Sequence, residues 1–141
     1  MKTVIKYLLL AFVLFLSGCY SVPPEQRHEY NMTWCFFNET DQVISFWRNN
    51  IPMEAAETVY MMAPGGSTSF DVIFISAEKP TEAANPLPFY DVSVKVGEND
   101  VVVYNGVEDK YHPIVAGSIC DINAYKLEEK DGFFVGTYVF R

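Results

Sequence analysis

Basic residues and histidine are scarce in this 141-residue chain. Ten Lys and Arg stand against eighteen Asp and Glu, with two histidines, for a formal charge of −8. Nucleic acid and anionic lipid surfaces are recognised through clustered cations, so this balance argues against both as partners. The sequence has no Gly-rich phosphate loop and no paired metal-ligand spacing, and no metal or cofactor is expected. Long apolar runs are missing too. The longest, Tyr7 to Leu16 (YLLLAFVLFL), would as a helix cross only about half of a ~30 Å hydrocarbon layer.

That short run follows Lys2 and Lys6 and lies at the amino terminus, the arrangement of a secretory signal rather than of a permanent span. It stops at Leu16-Ser17-Gly18-Cys19: an aliphatic residue, two small residues and a cysteine. This quartet resembles the lipobox of bacterial lipoproteins. The resemblance implies that residues 1–18 are removed and that the Cys19 thiol carries diacylglycerol. It also implies acylation of the new amino terminus, which holds the chain on a membrane. Two or more acyl chains anchor stably where one is marginal. Tyr20, rather than aspartate, follows the cysteine. By the sorting rule of Gram-negative lipoproteins this implies the outer membrane. Residues 19–31 contain Pro23-Pro24, mixed charge and little apolar content, and read as an extended, semi-rigid tether. Without Lys2 and Lys6 the chain keeps eight basic against eighteen acidic residues, a formal charge of −10.

Residues 32–141 are enough for one domain with a real core. Eleven Phe, nine Tyr and two Trp suit half-buried pleated surfaces. The periodicity is short and strand-like, with frequent turn signals. Thr33–Phe37 and Val43–Trp47, joined by Asn38–Asp41, predict a first hairpin. Thr58–Met62 and Thr68–Ile75, around Ala63-Pro64-Gly65-Gly66-Ser67, predict a second. In Phe89–Val96, Tyr90, Val92, Val94 and Val96 share one face; Gly97–Asp100 then turns the chain into Val101–Tyr104. Ile119–Leu127 and Phe133–Phe140, joined by the turn around Lys130-Asp131-Gly132, are the last strands, with Phe134, Gly136, Tyr138 and Phe140 on one side. About eight strands without a long amphipathic helix predict an all-β, antiparallel β-sandwich of 7–8 strands, with a small β-barrel as the alternative.

The order FFNETDQVISF, APGGSTSF and GTYVF resembles small envelope lipoproteins with immunoglobulin-like sandwiches and no assigned activity. Cys35, Trp47 and Cys120 follow the Cys–Trp–Cys order of antibody domains, although Ser118 stands where those carry a tyrosine. In an exported domain Cys35 and Cys120 are expected to form a disulfide. Closing about 85 residues, it would add roughly 4–5 kcal/mol on the chain-entropy argument. Two free, buried thiols are the other reading.

Local catalytic signatures are absent. His28 falls in the tether, and His112 (DKYHP) lies in a loop beside acid, without a partnered nucleophile. Asn99-Asp100, Glu108-Asp109 and Asp131 lack the spacing of a calcium loop. Trp34 is expected in the core. Trp47 (beside Arg48-Asn49-Asn50), Phe89 and Tyr111 are the candidate binding aromatics, with plugging the sandwich core as the favoured alternative for each. The irregular segments Ser76–Pro88 and Gly106–Ser118 are the candidate contact loops. The expected function is that of a lipid-anchored, non-catalytic envelope module for recognition or structure, meeting an envelope protein or a glycan. Inhibition of a basic envelope-attacking enzyme such as a lysozyme is the alternative, and glycan binding a further one.

Overall fold

The computed structural model describes residues 26–141. The expected signal segment, Cys19 and most of the expected tether lie outside them. Eight strands follow in order: β1 (His28–Asn38), β2 (Ile44–Arg48), β3 (Val59–Met62), β4 (Ser67–Ser76), β5 (Asp91–Val96), β6 (Val102–Asn105), β7 (Lys126–Lys130) and β8 (Phe133–Phe140). They form two four-stranded sheets, β4-β1-β8-β7 and β3-β2-β5-β6. The expected sandwich is therefore present, and among the described residues the sheets do not close into a barrel. Every pairing is antiparallel except that of β1 with β8, which is parallel.

The two sheets meet over an aromatic core. Met32, Trp34 and Phe36 from β1, and Phe134, Tyr138 and Phe140 from β8, face Ile44, Phe46, Met62, Val92 and Val94 of the other sheet. These residues alternate along their strands, as period-two side-chain geometry requires. The β8 face read from sequence is the observed one. In β5, Val92 and Val94 point inward as expected, whereas Tyr90 precedes the strand and is 77 % exposed.

Four sequence expectations need correction. First, β1 begins at His28 inside the expected tether, because the ten residues of β4 offer pairing partners back to His28 opposite Ser76. The Tyr30 ring then packs edge-on to Phe134 at 5.6 Å. Second, β1 and β2 are not a hairpin. Phe36 and Phe46 meet across the core at 4.7 Å, so the 39–43 link crosses between sheets. Third, β3 and β4 likewise belong to different sheets. β2 pairs with β3 instead, and the β5–β6 and β7–β8 hairpins form as predicted. Fourth, the strand expected over 119–127 starts only at Lys126 and runs on to Lys130. Ile119–Tyr125 folds into a turn in which Asp121 caps Asn123 N and the Tyr125 hydroxyl donates to Ile119 O at 2.6 Å.

β1 beside β4, β2 beside β5, β3 outside β2 and β6 outside β5 reproduce the B–E, C–F, C′–C and F–G pairings of an immunoglobulin-type sandwich. The departure lies next to β1, where an immunoglobulin domain places its first strand. Here the carboxy-terminal β8 takes that position. Trp34 sits opposite Gly136 in this parallel pair, and a Cβ at Gly136 would collide with the six-membered part of the indole. Gly136→Ala should therefore destabilise the domain by about 1–3 kcal/mol through overpacking. Chemical denaturation of the full chain would measure this, and an unchanged midpoint would show that the indole relaxes freely.

The topology also sorts the connections between the two ends of the sandwich. The β1–β2 link, the β3–β4 turn and the β5–β6 turn share one end, where Gly97 N donates to Val43 O at 2.8 Å. The start of β1, the 49–58 connection, the long segment 77–90 and the beginning of the segment 106–125 lie at the other. The last residues of that segment run back along the sandwich to Lys126 opposite Thr137.

Candidate functional site

Side-chain alternation along β2 determines what reaches the second, loop-rich end. Phe46 faces the core, Trp47 the outside of its sheet, and Arg48 the inner side again, where the core runs out. Trp47 is nevertheless buried, because residues 50–54 fold back over it and its Nε1 donates to Ile51 O at 2.8 Å. Asn49 makes this reversal with a left-handed φ of 70°, a conformation that asparagine tolerates better than most residues. Its N–H donates to Asp91 O at 2.8 Å, and its carbonyl accepts from Ser93 Oγ at 2.9 Å.

Trp47 and Phe89 are thus buried supports, as the core alternative has it, and are corrected as binding aromatics. The Phe89 ring packs against Phe36 at 6.2 Å and Phe70 at 6.0 Å. What it supports is a cation: the Arg48 guanidinium carbon lies 5.4 Å from the Phe70 ring centre and 5.9 Å from that of Phe89. Such cation–π contacts contribute about 0.5–1 kcal/mol at accessible sites. They restrict the guanidinium without using its five N–H donors. Lys79, Lys126, Lys130 and Arg141 all pair with glutamates. Among the described residues, no carboxylate pairs with Arg48.

Around Arg48 lies an open cleft of about 650 Å³, bounded by Asn49, Ile51, Glu57, Tyr60 and the exposed Tyr90. Tyr60 is held from behind, stacked on Phe46 at 5.0 Å. The close approach of Gly106 fixes the Phe89–Tyr90 segment, since a Cβ there would strike the carbonyls of both residues. Arg48 and Tyr90 were not among the sequence candidates. The only hint was the FWRNN run, in which a cation follows the strand tryptophan.

The two expected contact loops do meet, in a neighbouring groove of about 560 Å³. Asn85 lies on one side, Val107, Glu108 and Ile114 on the other, and Asp121 and Asn123 below. Tyr111 remains a candidate, 79 % exposed on the second loop, with the Lys110 ammonium 5.7 Å from its ring centre. The Tyr138 hydroxyl secures this loop by donating to Gly117 O at 2.9 Å.

The expected disulfide is not formed, and both cysteines are free. Cys35 points out of its sheet between Ser69 and Thr137, whereas Cys120 is fully buried with its thiol toward Tyr104 O. The sheet itself separates them. Burial pushes the Cys120 thiol up to about 12, with the Asp91 charge adding to the effect. Burial also raises Cys35, with Asp71 contributing. Since the thiolate is the nucleophile, iodoacetamide at pH 8 should label Cys35 slowly and Cys120 only after unfolding. Mass spectrometry of the native and denatured chain would read this, and rapid native labelling of Cys120 would contradict its burial.

His112 Nδ1 lies 3.0 Å from the Asp109 carboxylate on an exposed loop. The His112 side-chain hydrogen bond, with further backbone donors, holds the Asp109 carboxyl below its ordinary range. Among the described residues, no hydroxyl or thiol is hydrogen-bonded to this pair, and no group of three His, Cys, Asp or Glu is gathered to hold a metal. His28 lies in β1, exposed. Asn99-Asp100 and Glu108-Asp109 are held at opposite ends of the sandwich.

The chain matches no protein-family model, no curated protein sequence and no solved structure.

Proposed function

We propose that this chain is a lipid-anchored, non-catalytic recognition module of the bacterial envelope, held on the outer membrane through Cys19 and binding with the loop end of its sandwich. The supporting observation is that the Arg48 cleft, the loop groove and the exposed rings of Tyr90 and Tyr111 share one end of a rigid scaffold. Rigid sheets that present irregular loops are a common way to position binding groups. This is also the end at which β1 begins. Eight residues lie between Cys19 and His28, so nine residue steps reach at most roughly 30 Å. A thin or extended ligand, such as a glycan strand or a peptide, suits that confined position better than a bulky globule.

The test has two arms. The full chain, expressed in a Gram-negative host, should incorporate labelled fatty acid and float with outer-membrane vesicles, and Cys19→Ser should abolish both. Lipidated chain used as bait should then capture glycan or peptide fragments from envelope extract. Labelling without capture leaves a spacer, and a soluble chain without fatty acid overturns the anchor.

A second reading has its own observation. The 39–43 and 97–100 turns meet at the end away from β1 and present Asp41, Glu98 and Asp100, all exposed. An acidic tip pointing away from the anchor fits inhibition of a basic enzyme. Capture through it should weaken steeply with salt, and Glu98→Gln with Asp100→Asn should abolish it.

A further inference from the structure

From the cleft geometry we infer that the Arg48 cleft binds a ligand bearing a planar carboxylate, with the guanidinium as its anchor and the Tyr90 ring as the adjoining contact surface. The inference rests on the recognition reading above and specifies its chemistry.

Three features lead to the carboxylate. Among the described residues, Arg48 keeps its donors free of carboxylate partners, although the chain is rich in acid. Simple solvation would not explain why its guanidinium rests against two rings, one of them the 5 %-exposed Phe89, at the edge of a concavity. A planar fork held this way matches a carboxylate through two parallel N–H···O bonds, and the restriction by Phe70 and Phe89 reduces the rotamer entropy lost on binding.

The rest of the cleft narrows the ligand further. Tyr90 is 77 % exposed beside the cation, offering a face to a sugar ring or an apolar side chain. Glu57 lines the same cleft and accepts from a hydroxyl or ammonium group on the ligand while disfavouring a second anionic group. A carboxylate accompanied by hydrogen-bond donors describes both an acidic sugar and the carboxy terminus of a short peptide. Phosphate, with its higher charge, is disfavoured by Glu57.

Titration of the full chain in neutral detergent, with or without fatty acid at Cys19, followed by NMR, distinguishes these sources. The probes are a hexuronic acid, its methyl ester, an N-acetyl dipeptide with a free carboxylate, and the corresponding amide. At least one acid should bind saturably and shift the Tyr90 and Arg48 side-chain signals, while its neutral analogue binds at least about tenfold more weakly. Arg48→Gln should lose about tenfold in affinity for the acid, and Arg48→Lys, which keeps charge but not the fork, should retain part of it. Glu57→Gln keeps the aromatic support intact and should tighten binding of the acetylated dipeptide or the uronic acid by about two- to threefold. If Arg48→Gln perturbs the fold, the Glu57→Gln shift and the acid-to-neutral ratio still decide the matter. Equal binding of acids and neutral analogues, or no saturable binding by either acid, overturns the inference. Its failure would leave fatty-acid labelling at Cys19 untouched, and loss of that labelling would leave the titration unchanged, so the two proposals fail separately.

Discussion

Phe36→Ala should lower the unfolding free energy by about 3–5 kcal/mol, the range for removing a fully buried phenylalanine. Phe36 is the aromatic centre of the sandwich. Its ring lies 4.7 Å from Phe46, 5.6 Å from Phe70, 6.2 Å from Phe89, 6.3 Å from Tyr125 and 6.4 Å from Tyr138. These partners come from both sheets and from two long connections, so no single element can move to fill the space. A domain of this size is stable by only about 5–15 kcal/mol, and the loss would remove a large share of that. Denaturant unfolding of the full chain should show a much lower midpoint with little change in slope. A loss below about 1 kcal/mol would mean that the core collapses around the deletion. Phe70 and Phe89 also carry Arg48, so a carboxylate ligand should bind Phe36→Ala more weakly even where the variant remains folded.

Asn38→Asp should be comparably damaging, and its effect should depend on pH. Asn38 is 1 % exposed at the end of β1. Its Nδ2 donates to Gln42 O at 2.7 Å and to Met62 O and Ala63 O at 3.1 Å, while its Oδ1 accepts from Thr40 N and Oγ1. One side chain thus ties together both turns that cross between the sheets. Aspartate would turn that donor into an anionic oxygen facing three carbonyls. An unpaired buried charge costs about 3–5 kcal/mol. Burial among acceptors raises the folded-state pKa of such a carboxyl above its unfolded value of about 3.9. The deficit should therefore be smallest below about pH 4, where the carboxyl is protonated in both states, and should grow as pH rises toward the folded-state pKa. Comparing denaturation midpoints of wild type and Asn38→Asp at pH 3.5 and 7 measures this. An equal deficit at both would assign the damage to lost hydrogen bonds alone.

Two of the four corrected strand features share one cause. Both Thr33–Phe37 and Val43–Trp47 have an apolar face, and a short turn separates them, which local pattern reads as a hairpin. The same pattern serves two strands that face each other across a core, and Asn38 together with the Phe36–Phe46 contact selects the second arrangement. The β7–β8 hairpin was legible because Asp131-Gly132 is a tight turn with both residues at positive φ. At the site, Trp47 stood as a binding candidate beside the core reading because neighbouring Arg48, Asn49 and Asn50 are polar. Its burial comes from a chain reversal that only the Nε1–Ile51 bond reveals. Tyr111 kept its place because nothing in its loop packs over it.

Composition and alternation by themselves determined the all-β class and the inward face of β8, because side chains alternate strictly along a strand and aromatic faces must leave water, and they favoured two packed layers over a closed barrel. Strand partners, the separation of Cys35 from Cys120 and the cleft around Arg48 were decided only by tertiary structure. They depend on which strands lie side by side, and that choice is made by contacts between residues distant in the chain, such as Trp34 with Gly136 and Arg48 with Phe70 and Phe89.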